Sequence, residues 1–146
     1  MFTQTVNKSD AEVMYGNFTN AEGATITTGY ALSYCVASAS CDGNLAVISG
    51  TNHIFSFAGI CDEDVADNAI GRYIAYGYAA SVYLFAMADS LSVASGASLA
   101  GPGADASLGV GYEGYTGGCF AVAIYSSVGA VTKSTGGYVS GFVRAM

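Results

Sequence analysis

Residues 72–85 read Arg72-Tyr73-Ile74-Ala75-Tyr76-Gly77-Tyr78-Ala79-Ala80-Ser81-Val82-Tyr83-Leu84-Phe85, and this stretch decides the fold. Aromatic and β-branched residues favour strands, and Gly77 divides the stretch into two predicted strands, Arg72–Tyr76 and Ala80–Ala86. Successive strand residues face opposite sides of a sheet, and neither side carries a charge from 73 to 85. A strand that is apolar on both sides is buried on both. We therefore expect one side to pack inside the domain and the other against a neighbouring subunit.

The rest of the chain repeats this pattern of strands and turns. Glycine occurs 20 times and proline once, and the glycines stand at the ends of short apolar runs. The pattern predicts an all-β fold, a small barrel or sandwich of short antiparallel strands. The other predicted strands are Ala24–Ile26, Tyr30–Val36, Leu45–Ser49, His53–Cys61, Leu91–Val93, Ala97–Leu99, Phe120–Ser126 and Tyr138–Arg144.

The domain organisation is simple, because 146 residues fit one domain. Ser9-Asp10-Ala11-Glu12 has the form of a helix capping box. It could start one helical turn, but no apolar periodicity follows it. We therefore predict an N-terminal arm over residues 1–20 and a single β-domain over residues 21–146.

Two segments of the chain resemble each other weakly. Residues 26–32 and 93–99 both read apolar, small, hydroxyl, Gly, any residue, small, Leu. They are either a true internal repeat or a chance product of a Gly-, Ser- and Ala-rich composition. A third segment, Gly109–Gly118, alternates Gly and Tyr. It is either a flexible loop or a flat strand that becomes ordered on a partner.

The composition favours a protein that buries surface against partners. Hydrophobic residues make up 52% of the chain and charged residues only 10%, whereas about a quarter of a typical domain is charged. The formal net charge is −7, and the four cations, Lys8, Arg72, Lys133 and Arg144, are scattered. Phosphate backbones and anionic membrane surfaces require clustered cations. We therefore expect no nucleic-acid partner and no membrane partner.

Targeting and redox signals point to a soluble protein made in the cytoplasm. The first eight residues show no cationic start followed by an apolar run, so no secretory signal is visible. The longest uncharged apolar stretch, Tyr73–Ala88, is shorter than the roughly 20 residues of a membrane helix. Cys35 and Cys41 could bridge across a hairpin, but without a secretion signal reduced, buried thiols are favoured.

No catalytic or metal-binding constellation stands out. His53 is the only histidine, and the Gly-x-Ser-x-Gly elbow of many serine hydrolases is absent. The acidic turn Asp62-Glu63-Asp64 with Asp67 lacks the Gly and the final Glu of a calcium-binding EF-hand loop. We therefore predict no enzyme activity, no catalytic residues, no metal site and no cofactor.

Several stretches resemble small capsid decoration (cement) proteins of tailed bacteriophages. They are Phe57-Ala58-Gly59-Ile60 before an acidic turn, Gly71–Tyr78, Ser92–Leu99, Asn20–Gly29 and the ending Gly141–Met146. The resemblance spans most of the chain. It implies a β-barrel or β-tulip domain that assembles as trimers on the outer capsid surface, and an extended N-terminal arm. It implies no catalytic residues.

That resemblance defines the expected function and partners. We expect a structural virion protein, made in the host bacterial cytoplasm, that binds the major capsid protein on the assembled capsid and stabilises it, and that also self-associates. The predicted partner contacts are aromatic or apolar: Phe2, Val6, Tyr76, Tyr78, Tyr112 and Tyr115. The alternative is a secreted or surface-displayed binding module of lectin or adhesin type, which would contain a Cys35–Cys41 disulfide.

Overall fold

A computed structural model of the chain describes residues 12–35, 43–49, 56–85, 98–102, 108–110, 119–125 and 136–145. This part of the chain contains nine strands and no α-helix, which confirms the predicted all-β fold. The strands are β1 (Met14–Asn20), β2 (Ala31–Tyr34), β3 (Leu45–Ile48), β4 (Phe57–Cys61), β5 (Ile70–Phe85), β6 (Ser98–Pro102), β7 (Leu108–Val110), β8 (Cys119–Tyr125) and β9 (Gly137–Arg144).

The strands close into two rings that share β5. The first ring runs β1-β3-β2-β4-β5 and closes through the β1–β5 pair, and the second runs β5-β7-β6-β8-β9 and closes through the β5–β9 pair. The first ring uses the first half of β5, up to Tyr76, and the second ring uses the half from Tyr76 onward. Closure of a sheet on itself removes exposed strand edges, and the predicted small barrel is confirmed.

The two rings have the same topology. In each ring the first strand pairs in parallel with the third, and the other four pairings are antiparallel. Even an irregularity recurs, because the register shifts after Leu32 in β2 and after Leu99 in β6. These two leucines are the last residues of the segments that resemble each other in sequence, and both are fully buried. The structure thus favours a true internal repeat, although residues 93–97 lie outside the described part.

The fold contains two hydrophobic cores. One lies inside the first ring, and the other lies between the outer side of that ring and the second ring. The first-ring core receives side chains from all five of its strands: Phe18, Leu32, Ala46, Ala58, Cys61 and Tyr73, with Ile26 and Val65 from the connections. The shared core joins the outside of the first ring to the second ring through Ala31, Ile60, Ile74, Ala79, Val82, Leu84, Leu99, Val139 and Val143.

The central strand corrects two sequence predictions. Residues 70–85 form one strand rather than two, and at Gly77 that strand continues with a φ of 112°. A side chain at Gly77 would collide with the backbone of Glu12 and Val13, which crosses there. The side of the sheet that each residue faces also changes along β5. From Ala79 to Val82, β5 advances by three residues, whereas β9 advances by only two between their partners Gly141 and Val139. This bulge moves the buried positions from odd to even numbers. Strict alternation along residues 73–85, which places all odd positions on one face and all even positions on the other, is therefore wrong beyond Ala79.

The chain itself covers both sides of the first half of β5. Tyr73 lies in the first-ring core, and the next residue, Ile74, lies in the shared core. The expectation that a neighbouring subunit covers one side is therefore wrong for this half, because the second ring packs there.

Other elements also differ from the predicted strands. Residues 14–20, which were assigned to the arm, form β1 and pair with β3 and β5. The sequence does not predict this strand, because it contains Gly, Asn and Thr and because only Phe18 and Asn20 in it are buried. Predicted strand Ala24–Ile26 is reduced to a single bridge between Ile26 and Val65, and β7 was not predicted. Predicted strand Leu91–Val93 and residues 1–11 lie outside the described residues.

Candidate interaction surface

The outer side of the β5–β9 pair carries an aromatic surface. On β9, Val139, Gly141 and Val143 are buried, so the alternating residues Tyr138 and Phe142 point the other way. On β5, the outward positions opposite them are aromatic as well. We call this surface the outer aromatic face, and its members are Tyr76, Tyr78, Tyr83, Tyr138 and Phe142.

The rings of this face pack in pairs. The ring centroids of Tyr76 and Phe142 lie 5.0 Å apart with the planes nearly perpendicular, and those of Tyr83 and Tyr138 lie 5.1 Å apart. Edge-to-face and tilted contacts of this kind stabilise aromatic pairs. Tyr78 and Tyr138 still expose 41% and 44% of their surface. The face is therefore held by its own packing and by Tyr30 of the first ring, whose ring centroid lies 5.2 Å from that of Tyr83, while large apolar rings with hydroxyl tips remain accessible to a partner.

The structure brings together only two of the predicted contact residues. Tyr76 and Tyr78 both lie on the outer aromatic face, beside Phe142. Phe2, Val6, Tyr112 and Tyr115 lie outside the described residues, so their role as contacts stays a prediction. Tyr138 and Phe142, which are not among the predicted contacts, lie on the same face, and the alternation of β9 could have indicated them.

The first ring also exposes large apolar side chains. Met14, Tyr15 and Ile70 are 59%, 51% and 78% exposed. The guanidinium of Arg72 lies 4.5 Å from the centre of the Tyr15 ring, which is a cation–π contact. Ile70 also borders a surface hollow that is lined by Asn17, Thr19 and Leu45 among others. This surface is mixed in polarity, and so is the edge of the outer aromatic face, where the exposed residue Arg144 pairs with Tyr76.

The acidic turn after β4 serves the structure of the first ring. The Asp64 carboxylate accepts hydrogen bonds from the backbone N–H of Thr28 at 2.7 Å and from its hydroxyl at 2.9 Å. These two hydrogen bonds, the backbone one first, lower the pKa of Asp64. In the same way, Asp67 accepts from the backbone N–H of Gly23. The carboxylates therefore fasten the loop before β2 to the loop after β4.

The remaining acids of the turn hold β5. The Asp62 carboxylate accepts a hydrogen bond from Nε of Arg72 at 2.9 Å, and Glu63 accepts from the backbone N–H of the same residue. The Asp62 hydrogen bond and charge raise the pKa of Arg72. Within the described ranges, no three His, Cys, Asp or Glu side chains are placed to share a metal ion.

Buried polar side chains in the first ring are hydrogen-bonded within the fold. The hydroxyl groups of Ser33 and Ser49 are hydrogen-bonded to each other. The side-chain amide of Asn20 donates to the backbone oxygens of Ala24 and Val65, and its oxygen accepts from the N–H of Glu22. These groups use their hydrogen-bonding capacity within the fold.

The two described cysteines differ in burial. Cys61 is a buried thiol and Cys35 is half-buried, whereas Cys41 lies outside the described residues. The Cys61 thiol is buried, and it donates a hydrogen bond to the backbone oxygen of Glu63. Because Cys41 lies outside the described residues, the Cys35–Cys41 bridge expected of the secreted-module alternative stays a prediction. His53, the only candidate catalytic base, also lies outside the described part of the chain.

No helix that could cross a membrane occurs among the described residues. No family model matches the sequence, and no curated protein matches it.

The fold is similar to that of a phage protein of known structure. The N base of head fiber gp8.5 from bacteriophage phi29 superposes with a TM-score of 0.52 at 16% sequence identity. The match covers 90% of this chain and 96% of that chain. The two chains therefore share a fold over nearly their whole lengths.

Proposed function

We propose that this chain is a structural protein of a bacteriophage virion, and that it binds the outer surface of the assembled capsid and stabilises it. The observation that carries the proposal is the shared fold with a phage head fiber base, because the match spans nearly all of both chains. A fold alone does not define a function, so the surface and composition of this chain supply the further support.

The surface suits a binding protein. The outer aromatic face exposes Tyr78 and Tyr138, and the first ring exposes Tyr15 and Ile70. Tyrosine provides a large contact area together with a hydrogen-bonding tip. An acidic protein is repelled by packaged DNA, in agreement with the net charge of −7. We therefore propose the major capsid protein as the partner, and neither nucleic acid nor membrane.

The mechanism that we propose is thermodynamic linkage. A protein that binds the assembled capsid lattice, but not its separated subunits, stabilises the lattice by the free energy of binding. Many copies bound to one shell add their contributions, so each contact can be modest. No reaction and no cofactor are needed for this role. The buried thiol of Cys61 fits synthesis in the reducing cytoplasm of a host bacterium.

Co-sedimentation tests the proposal directly. In one sample the purified chain is mixed with expanded capsid shells of the phage that encodes it, and in a second sample it is mixed with unassembled capsid subunits. The shells are then pelleted together with any chain that is bound to them. We expect saturable binding to assembled shells only, and a higher temperature of shell disruption when the chain is bound. Absence of binding at saturating protein, or equal binding to free subunits, contradicts the proposal.

A pair of variants tests the predicted contact of the N-terminal arm. Phe2→Asp combined with Val6→Asp places two charges at the predicted arm contacts. The matched control, Ala24→Asp combined with Ala66→Asp, adds the same charge at two exposed positions of the first ring. We expect the arm variant to reduce shell binding at least tenfold and the control to bind normally, because an unpaired charge in an interface is costly. Equal binding by both variants would remove the arm from the contact.

A further inference from the structure

The internal repeat assigns a role to the outer aromatic face. In the first ring, Ala31, Ile60 and Ile74 occupy one row across β2, β4 and β5, because Ala31 pairs with Ile60 and Ile60 with Ile74. All three are at least 96% buried. They belong to the shared core, together with residues of the second ring. This outer wall of the first ring is therefore an interface, and a ring of the same topology covers it.

The second ring has the same row in the same register. Ser98 pairs with Val122 and Val122 with Phe142, across β6, β8 and β9. The row continues to Tyr78, as the row of the first ring continues to Tyr15. Phe142 is thus the counterpart of Ile74, but it is only half-buried where Ile74 is 4% exposed. Among the described residues, no further ring packs on this row.

The distribution of charge indicates what can cover it. Residues 1–76, which include the arm and the strands of the first ring, contain eight acids and two cations and therefore hold a charge of −6. Residues 77–146 contain three acids and two cations, and therefore sum to only −1. Two copies of an acidic protein repel each other least when their least charged parts meet and their charged parts point apart. That condition favours contact between second rings.

We propose that the outer aromatic face, centred on Phe142, is a self-association surface at which copies of this chain pack second ring against second ring. The repeat supplies the precedent, because the equivalent wall of the first ring is buried by a ring of the same topology. The charge distribution supplies the orientation, with the acidic first rings outermost. The inference does not depend on capsid binding, and it leaves the first ring and the arm available for another partner.

The repeat also supplies a matched pair of variants. Tyr78 corresponds in position to Tyr15, because the pair Tyr78–Phe142 in the second ring matches Tyr15–Ile74 in the first. Tyr138 corresponds to Ile70, because the pair Tyr83–Tyr138 matches Thr19–Ile70. All four side chains are more than 40% exposed. The test variant is Tyr78→Asp with Tyr138→Asp, and the control is Tyr15→Asp with Ile70→Asp. Both add two charges at equivalent, exposed strand positions.

Sedimentation equilibrium over a range of protein concentrations measures the outcome. We expect the unaltered chain and the control to show masses of two or more times the 14.7 kDa of a single chain. We expect the dissociation constant of the test variant to rise by about 100-fold or more, since like charges meet across the interface. Circular dichroism establishes that each variant is folded.

If the test variant does not fold, Phe142→Ala replaces it, with the same expected direction and with Ile70→Ala as its control. A chain that stays monomeric throughout, or a control that dissociates as much as the test variant, overturns the inference. A monomeric chain that still binds shells would overturn this inference alone, and an oligomer that ignores shells would overturn only the proposed function.

Discussion

The hydroxyl oxygens of Tyr34 and Tyr73 lie 2.7 Å apart and are hydrogen-bonded to each other across the first ring. Their rings are perpendicular, and Phe18 meets Tyr73 in a second edge-to-face contact. Burial, with a contribution from the Tyr34 hydrogen bond, raises the pKa of Tyr73 to about 12. The pair thus places two aromatic rings in a small barrel while satisfying both phenol groups.

Removing both hydroxyls of this pair should destabilise the fold by less than the sum of the two single removals. Tyr34→Phe or Tyr73→Phe leaves the other phenol without this partner, and we expect each to lower the free energy of unfolding by about 1 kcal/mol. The double variant should cost clearly less than the sum, because no unsatisfied group remains. Urea denaturation of the four proteins of this cycle measures the coupling. Additive effects would contradict a direct hydrogen bond.

Gly16 is expected to be essential for the packing of Tyr73. A Cβ atom at position 16 would overlap with the Tyr73 ring. Gly16→Ala should therefore lower the free energy of unfolding by about 1–3 kcal/mol, the usual cost of overpacking a core. Asn17→Ala, at the next and exposed position of β1, is the control and should stay within about 0.5 kcal/mol of the unaltered chain. Thermal unfolding followed by circular dichroism compares the two, and equal melting temperatures would contradict the packing argument.

Asp64 should make the stability of the chain sensitive to acid. Its pKa is lowered in the folded state by the two hydrogen bonds from Thr28. The stabilisation is therefore present above the ordinary pKa of about 4 and is lost as the pH falls through the folded value. The urea concentration at the unfolding midpoint should decrease from neutral to acidic pH, and this decrease should be smaller in Asp64→Asn than in the unaltered chain. Parallel pH profiles would show that the Thr28 contact does not contribute.

Cys61 should make the stability sensitive to alkali. Burial is the main cause that raises its pKa from 9.0 to about 11. The folded state thus favours the neutral thiol, and its advantage is complete below pH 9 and is lost as the pH rises towards 11. Over this window, Cys61→Ala should lose less stability than the unaltered chain, as measured by urea denaturation.

The same burial predicts the order of thiol reactivity. Only the thiolate reacts readily with disulfide reagents, so Cys61 should be modified more slowly than the half-buried Cys35 in the folded chain. Mass spectrometry after timed labelling at pH 8 measures both rates. Modification of Cys61 as fast as in the urea-unfolded chain would contradict its placement in the first-ring core.

Local sequence patterns predicted the class of fold and most of its strands. The strands around Leu32, Val47, Gly59, Val122 and Val139 follow from β-branched and aromatic runs bounded by glycines, because strand propensity and alternation are properties of neighbouring residues. The two-sided apolar character of residues 73–85 also indicated correctly that this strand is central. These patterns did not predict strand β1, because its only large buried side chain is Phe18 and its other buried position is Asn20.

Residue order alone was enough to predict that the chain is built of short strands, that residues 73–85 are buried on both sides at their start, and that the cations are scattered. The pairing of strands in space was needed to establish that β5 belongs to two rings, that a bulge after Ala79 reverses its faces, and that Phe142 holds the position that Ile74 holds in the first ring. The physical reason is that ring closure and register depend on pairings between residues far apart in the chain. A single extra residue in one strand moves every later side chain to the opposite face, and no local pattern records that step.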